Sequence, residues 1–193
     1  MTDARRLSQA ISEGDGISVI VHVDGADDAR AAEDQGAEGL ALVRGVPGLA
    51  ELTTLPVLWL GDASEVETME SCGAHALTVW ADGELEELRA LQESLAEDVE
   101  LVVGVANEEE LQTALELDVE ILLLSGGEAD DDQHPLERVL ELLPDVPAGK
   151  LAIAGVAVDS REEVVELERA GFDAVLVPAG HVGDLVGGTP PEV

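Results

Sequence analysis

The stretch VDSREEVVELERAGFDAVLV, residues 158–177, holds a complete structural unit. Ser160 is a good N-cap acceptor, and the acids that follow suit the positive end of a helix dipole. Gly171 suits a left-handed helix end, and an aliphatic run then extends from Asp173 to Val177. Three other stretches repeat this order: VDGADDARAAEDQGAEGLAL from Val23, GDASEVETMESCGAHALTV from Gly61 and ANEEELQTALELDVEILLL from Ala106. Each opens with Asp or Asn near its start, with Asp62 and Asn107 as N-cap candidates. Each runs through an acidic helix and turns at Gly36, Gly73 or Asp118 into an apolar strand.

Working outward, each unit follows a further apolar run, so that eight strands emerge. They are expected at Ile17 to Val23, Gly39 to Val43, Pro56 to Leu60, Ala76 to Trp80, Glu100 to Val105, Glu120 to Leu124, Leu151 to Val156 and Asp173 to Val177. The intervening segments are amphipathic, as in Gly83 to Glu97 with Leu85, Leu88, Leu91 and Leu95 on one face. Continuous apolar strands alternating with helices imply a parallel sheet covered on both faces. A fourfold β-α-β repeat with eight strands predicts an α/β fold closed as a compact (β/α)8 TIM barrel, an open doubly wound sheet being the alternative. The expected layout is a short helix within residues 1–16, the barrel over 17–186 and a tail at 187–193.

The 193 residues include 43 acidic and nine basic side chains, for a formal charge of −34, with a mean hydropathy of +0.13. A core is therefore present, and an acidic disordered tail is excluded. Nucleic acid and anionic membrane are not expected partners, because both need clustered Lys and Arg. With one lysine, Lys150, and no tyrosine, the surface reads as adapted to a salt-rich cytoplasm, where screening removes self-repulsion. The competing reading is a surface that gathers cations or a basic partner, with the acidic loop 128–132 as its best support. That loop lacks the alternating oxygen ligands, shaping Gly and closing Glu of a calcium site, so no metal is expected. Cys72 is the only cysteine and reads as a buried small residue. No apolar run has the length of a membrane span or a secretion signal.

From Asp98 onward the spelling VELVVGVANEEELQTALELDVEILLL, then PDVPAGKLAIAGVAVDSREEVVELERAGFDAVLVPAG, resembles indole-3-glycerol-phosphate synthase, the barrel lyase of tryptophan biosynthesis. That family's later strands read LVEVHDEEEL, VVGVNNRDL, VAESGI and AVLVGSSLM. ISVIVHVD and LPVLWLGD fit its first and third strands more loosely. The resemblance implies a carbon–carbon lyase with polar groups at the C-terminal strand ends. It places the family's first-strand Glu and Lys on His22 and Asp24, its third-strand acid Lys on Leu60 and its fifth-strand Glu on Gly104. The sixth-strand Asn falls on Ser125, the seventh-strand Ser and Gly on Val156 and Ala157, and the eighth-strand phosphate-binding pair on Pro178 and Ala179. Leucine donates no proton and proline has no amide hydrogen, so both the acid and the phosphate grip are expected to be missing.

Candidate catalytic residues are therefore His22, Asp24 and Ser125, where an imidazole beside a carboxylate could act as base and orienter. The alternative makes His22 a core residue and Asp24 the start of a turn. Trp59, Asp62, Trp80, Gly126 and Gly127 are candidates for ligand binding, with strand-end packing, helix capping and loop geometry as the alternatives. His75 reads as structural, and His134 and His181 lie in loops without a complete zinc ligand set. The sequence thus points to a lyase-like barrel without its catalytic groups, acting in binding or assembly on a protein partner or small molecule, with no cofactor. The alternatives are an enzyme of altered chemistry, a small-molecule lyase or isomerase built on His22, Asp24 and Ser125, and a retained lyase of the tryptophan-biosynthesis type that uses replacement groups.

Overall fold

In the computed structural model, which describes residues 6–14, 16–96, 98–127, 134–180 and 182–185, eight parallel strands close into one barrel in sequence order. The strands are β1 (Ser18–His22), β2 (Gly39–Leu42), β3 (Val57–Trp59), β4 (Ala76–Trp80), β5 (Glu100–Val105), β6 (Ile121–Ser125), β7 (Leu151–Gly155) and β8 (Ala174–Pro178). The helices are α1 (Leu7–Ser12), α2 (Ala26–Asp34), α3 (Val66–Ser71), α4 (Leu85–Ser94), α5 (Glu108–Leu115), α6 (Pro135–Leu142), α7 (Arg161–Ala170) and α8 (Val182–Leu185). The fold is the expected (β/α)8 barrel, and β1 pairs with β8 along five residues to close it. Followed once around the ring, the strand registers accumulate a stagger of about eight residues, as such barrels require.

Strand side chains alternate between two cores. Outward positions such as Val19, Val21, Leu40, Trp59, Val103 and Leu124 pack under the helices. Inward positions fill the barrel in layers drawn from alternate strands, the central one being Ile20, Leu58, Val102 and Ile153. Gly39, Ala76, Ile121 and Ala174 lie on its N-terminal side, and Ala41, Thr78, Leu123 and Leu176 on its C-terminal side. Leu7 and Ile11 of α1 complete the inner core from below. Glu100 anchors that helix: its carboxylate accepts from the Leu7 amide at 2.6 Å, and from the Ser8 amide and hydroxyl.

The repeated units differ in their ends. Ser160 caps α7 and Asn107 caps α5, each accepting from the amide three residues on. Asp62 does not cap α3. That helix starts later, at Val66, with Glu65 at the cap position and no side-chain cap bond. Asp62 instead makes a local turn, its Oδ1 accepting from the Ser64 amide at 2.8 Å. Gly171 ends α7 in the left-handed region at φ 110°, and Gly36 and Gly73 follow their helices with positive φ as well. The turn at Asp118 differs, since no described non-glycine residue has positive φ. Strand ends move by a residue or two: β1 is shorter than Ile17 to Val23, β3 is shorter than Pro56 to Leu60, and β6 takes in Ser125. The ladder still reaches Leu60, whose amide donates to the Leu42 carbonyl. The acidic loop 128–132, His181 and the tail 187–193 lie outside the described residues.

Candidate functional site at the barrel mouth

Above Thr78 and its layer, two more rings of inward positions lead to the C-terminal mouth. The first is His22, Leu60, Gly104 and Gly155, and the rim beyond it is Val43, Trp80, Ser125 and Pro178. The first ring contributes one polar side chain and one apolar one, because two of its four positions are glycine. A Cβ at Gly104 would lie 2.5 Å from the Trp80 ring, so the indole occupies the space that any other residue at 104 would claim. A Cβ at Gly155 would meet Leu123 at 2.9 Å. The mouth is thus narrowed by an aromatic ring from β4 and a leucine from β6.

Two polar atoms inside this end are buried without a hydrogen-bond partner: Nε2 of His22 and Oγ1 of Thr78. Thr78 is only 4% exposed. Around them the rim is apolar except for Ser125, Val43 and Trp80 being the exposed large hydrophobic residues among those described, at 46% and 43%. Thr78 escaped the sequence reading. Its signal was a hydroxyl residue at an inward position, two places before Trp80, in an otherwise apolar strand.

Several backbone amides at the C-terminal strand ends have internal acceptors. Glu163 Oε2 accepts from the Asp159 amide at 2.7 Å and from that of Ser160 at 3.3 Å. Glu110 Oε2 takes the Ala106 amide at 2.7 Å. The Ala179 amide donates to the His22 carbonyl at 3.1 Å, and Pro178 has no amide hydrogen. Gln35 Oε1 accepts from Gly183 at the start of α8. Side-chain carboxylates and carbonyls thus sit where an anion would otherwise be gripped.

Of the candidate residues, His22, Trp80 and Ser125 come together as inward or rim positions. Asp24 is exposed on the loop after β1, where its amide donates to Asp28 Oδ2 at 3.4 Å. Asp62 is exposed on the loop after β3, and the Ser64 hydroxyl and amide hold its carboxyl below the usual range. Trp59 faces away from the mouth: it is fully buried beneath the helices, with Nε1 donating to the Asp62 carbonyl at 3.1 Å. A ligand in the mouth does not reach it. Ser125 Oγ accepts from Gly127 at 3.3 Å, which makes the Gly126–Gly127 loop a local turn. Gly126 packs against Pro135, and its carbonyl accepts from Arg138 Nη1 at 2.9 Å, a cation on α6 that the sequence reading did not single out.

The remaining polar residues have local roles. His134 caps α6 through Nδ1, and His75 lies before β4 at the opposite end of the barrel. Cys72 is buried, with Sγ accepting from the Val46 amide at 3.2 Å. Among the described residues, no helix is long and apolar enough to cross a membrane.

No family model matches the chain. It is similar to curated indole-3-glycerol phosphate synthases from several organisms. Identity to that of Alkaliphilus metalliredigens is 28% over 137 residues, 68% of this chain and 52% of the relative. For Acidithiobacillus ferrooxidans it is 32% over 134 residues, 66% and 50%. For Dechloromonas aromatica it is 30% over 167 residues, 79% and 64%. The chain spans about half the length of the first two. Among solved structures, the N-acetylmannosamine-6-phosphate 2-epimerase of Clostridium perfringens superposes with a TM-score of 0.67 at 17% identity, over 86% of this chain and 88% of that one. A 2,3-dimethylmalate lyase gives 0.62 at 16%, over 92% and 81%. At those identities the structural likeness establishes the fold. The chain is a closed (β/α)8 barrel that resembles the indole-3-glycerol phosphate synthases in sequence.

Proposed function

We propose that the chain is a divergent relative of these synthases that has lost lyase catalysis and acts by binding at its mouth. The observation that carries this reading is the ring of His22, Leu60, Gly104 and Gly155, which contains no Lys, Arg, Asp or Glu. Ring-closing decarboxylation needs an acid or cation beside the substrate carbonyl, a contribution of several kcal/mol at about 3 Å. Leucine at position 60 supplies none. The occupied amides at Asp159, Ser160 and Ala179 support the same reading, since a sugar phosphate would have to displace Glu163 or the His22 carbonyl.

The acidic surface supports a salt-rich cytoplasm as the setting, with the barrel over 17–186, a leading helix within 1–16 and a tail at 187–193 as its layout. Incubation of the chain with 1-(2-carboxyphenylamino)-1-deoxyribulose 5-phosphate in concentrated salt is expected to give no indole fluorescence. Turnover there would overturn the reading. A second reading, an enzyme of altered chemistry using His22, Asp24 and Ser125, is favoured by one observation, the unpartnered His22 Nε2. It predicts that Asp24, now exposed, turns inward when a substrate binds.

A further inference from the structure

We infer that a cleft at the N-terminal end of the barrel, between α6 and the last residues of α7, binds an organic cation with an apolar body, an aryl- or alkylammonium, through Asp173. The cleft holds about 610 Å³, within the range of small-molecule sites, and lies at the opposite end from the mouth. It is therefore independent of the binding role proposed above. Short side chains hollow it out. Ala152 sits in it at the start of β7, and Ala170 and Gly171 border it where α7 ends; a Cβ on Gly171 would meet nothing within 4 Å. Leu140, Leu143 and Val146 supply an apolar wall, each packed on the outer core yet only partly buried.

Two charged side chains line the cleft, and their partners differ. Lys150 Nζ donates to the Val119 carbonyl and lies 4.0 Å from Asp118 Oδ1, so its charge is answered within the chain. Asp173 is half-buried, and its Oδ2 accepts from the Ala152 amide at 2.8 Å, which holds the carboxylate at the start of β7. No Lys, Arg or His among the described residues pairs with it. An asparagine oxygen would serve the same amide, so the negative charge is the part that folding leaves unused. A carboxylate half removed from water beside an apolar wall favours a counter-ion that brings apolar surface of its own. The net charge of −34 draws cations and opposes anions. Among the described residues no three His, Cys, Asp or Glu side chains converge to hold a bare metal ion. A neutral ring would leave the carboxylate unpaired, and a small hydrated cation would leave the leucine and valine wall in water. An ammonium on an apolar body satisfies both.

The test is calorimetric titration of the full chain at neutral pH in concentrated salt, which screens loose attraction to the acidic surface. The probes are benzylammonium, benzyl alcohol, benzoate and methylammonium, so that ring and charge vary separately. Benzylammonium is expected to bind at least about tenfold more tightly than each of the others, with Trp80 emission unchanged. Asp173→Asn keeps an acceptor for the Ala152 amide and is expected to reduce benzylammonium to the level of benzyl alcohol. Ala170→Leu fills the cleft from the exposed end of α7 and is expected to abolish binding without lowering the melting temperature. Equal binding of benzylammonium and any other probe, no binding of it at all, or a shift in Trp80 emission that places it in the mouth would overturn the inference. So would unchanged affinity in either variant. If Asp173→Asn fails to fold, Ala170→Leu and the probe series decide. None of these outcomes alters the reading of the mouth, which the lyase assay tests.

Discussion

At its N-terminal end the barrel is stopped by α1, whose Leu7 and Ile11 enter the inner core while Glu100 takes up the first amides of the helix. At its C-terminal end the stopper comes from the strands themselves, with Trp80 laid over Gly104 and Leu123 against Gly155. The first closure pairs the polar groups it buries. The second leaves His22 Nε2 and Thr78 Oγ1 without partners. Folding alone has no use for such atoms, so the two ends of the barrel differ in how fully their buried polar groups are satisfied.

The largest effect should come from breaking the lower closure. Glu100→Ala removes the acceptor of two amides and a hydroxyl and is expected to cost about 2–3 kcal/mol in chemical denaturation. A loss below 0.5 kcal/mol, set against the ~1 kcal/mol of an ordinary hydrogen bond, would mean that α1 is held by its leucine and isoleucine alone. Next, Gly104→Ala should drive the Trp80 ring from its place, at about 1–3 kcal/mol, with its emission shifting to the red. Unchanged emission would show that the mouth tolerates a methyl group and that glycine there is incidental. Ser160→Ala removes the cap of α7 and should cost about 1 kcal/mol, without altering Trp80 emission. An emission change would tie the α7 start to the mouth directly.

The smallest effect belongs to Asp62. Its folded carboxyl titrates below the unfolded value of about 3.9, so its contribution is fully present above that pH and is lost as pH falls through the lowered folded value. Carboxyl chemical shifts measured against pH check it directly, and a midpoint at or above the usual aspartate value would remove the Ser64 turn as the cause. Asp62→Asn should leave stability near neutrality almost unchanged, since the side chain is exposed.

Much of the architecture was legible because it is periodic. The stretch 158–177 and its three companions announce their helix starts, helix ends and strands through local chemistry, and closure follows from counting eight strands. Even the occupied amides had a local signal, in Ser160 with Glu163 and Asn107 with Glu110, an N-cap residue followed three places later by an acid. The alternation of side chains was the harder part. Trp59 and Trp80 both end strands, yet a difference of one position in the pleat sends Trp59 under the helices and Trp80 into the mouth. Asp62 missed its helix because Ser64 competes for its carboxylate within two residues. Gly104 was legible as a missing acid, but its use as room for an indole depends on β4 lying beside β5, which no local pattern states.

The placement of the two tryptophans also furnishes the molecule with a label-free optical gauge. Trp59 is sealed, with its indole nitrogen committed to the Asp62 carbonyl, so its emission is expected to lie to the blue and to serve as an internal standard. Trp80 stands half in solvent at the end of the neighbouring strand, on the mouth side of the pleat. With no tyrosine and a single phenylalanine to contribute background, the ratio of the two signals reports on the surroundings of Trp80, at any salt concentration in which the barrel stays closed.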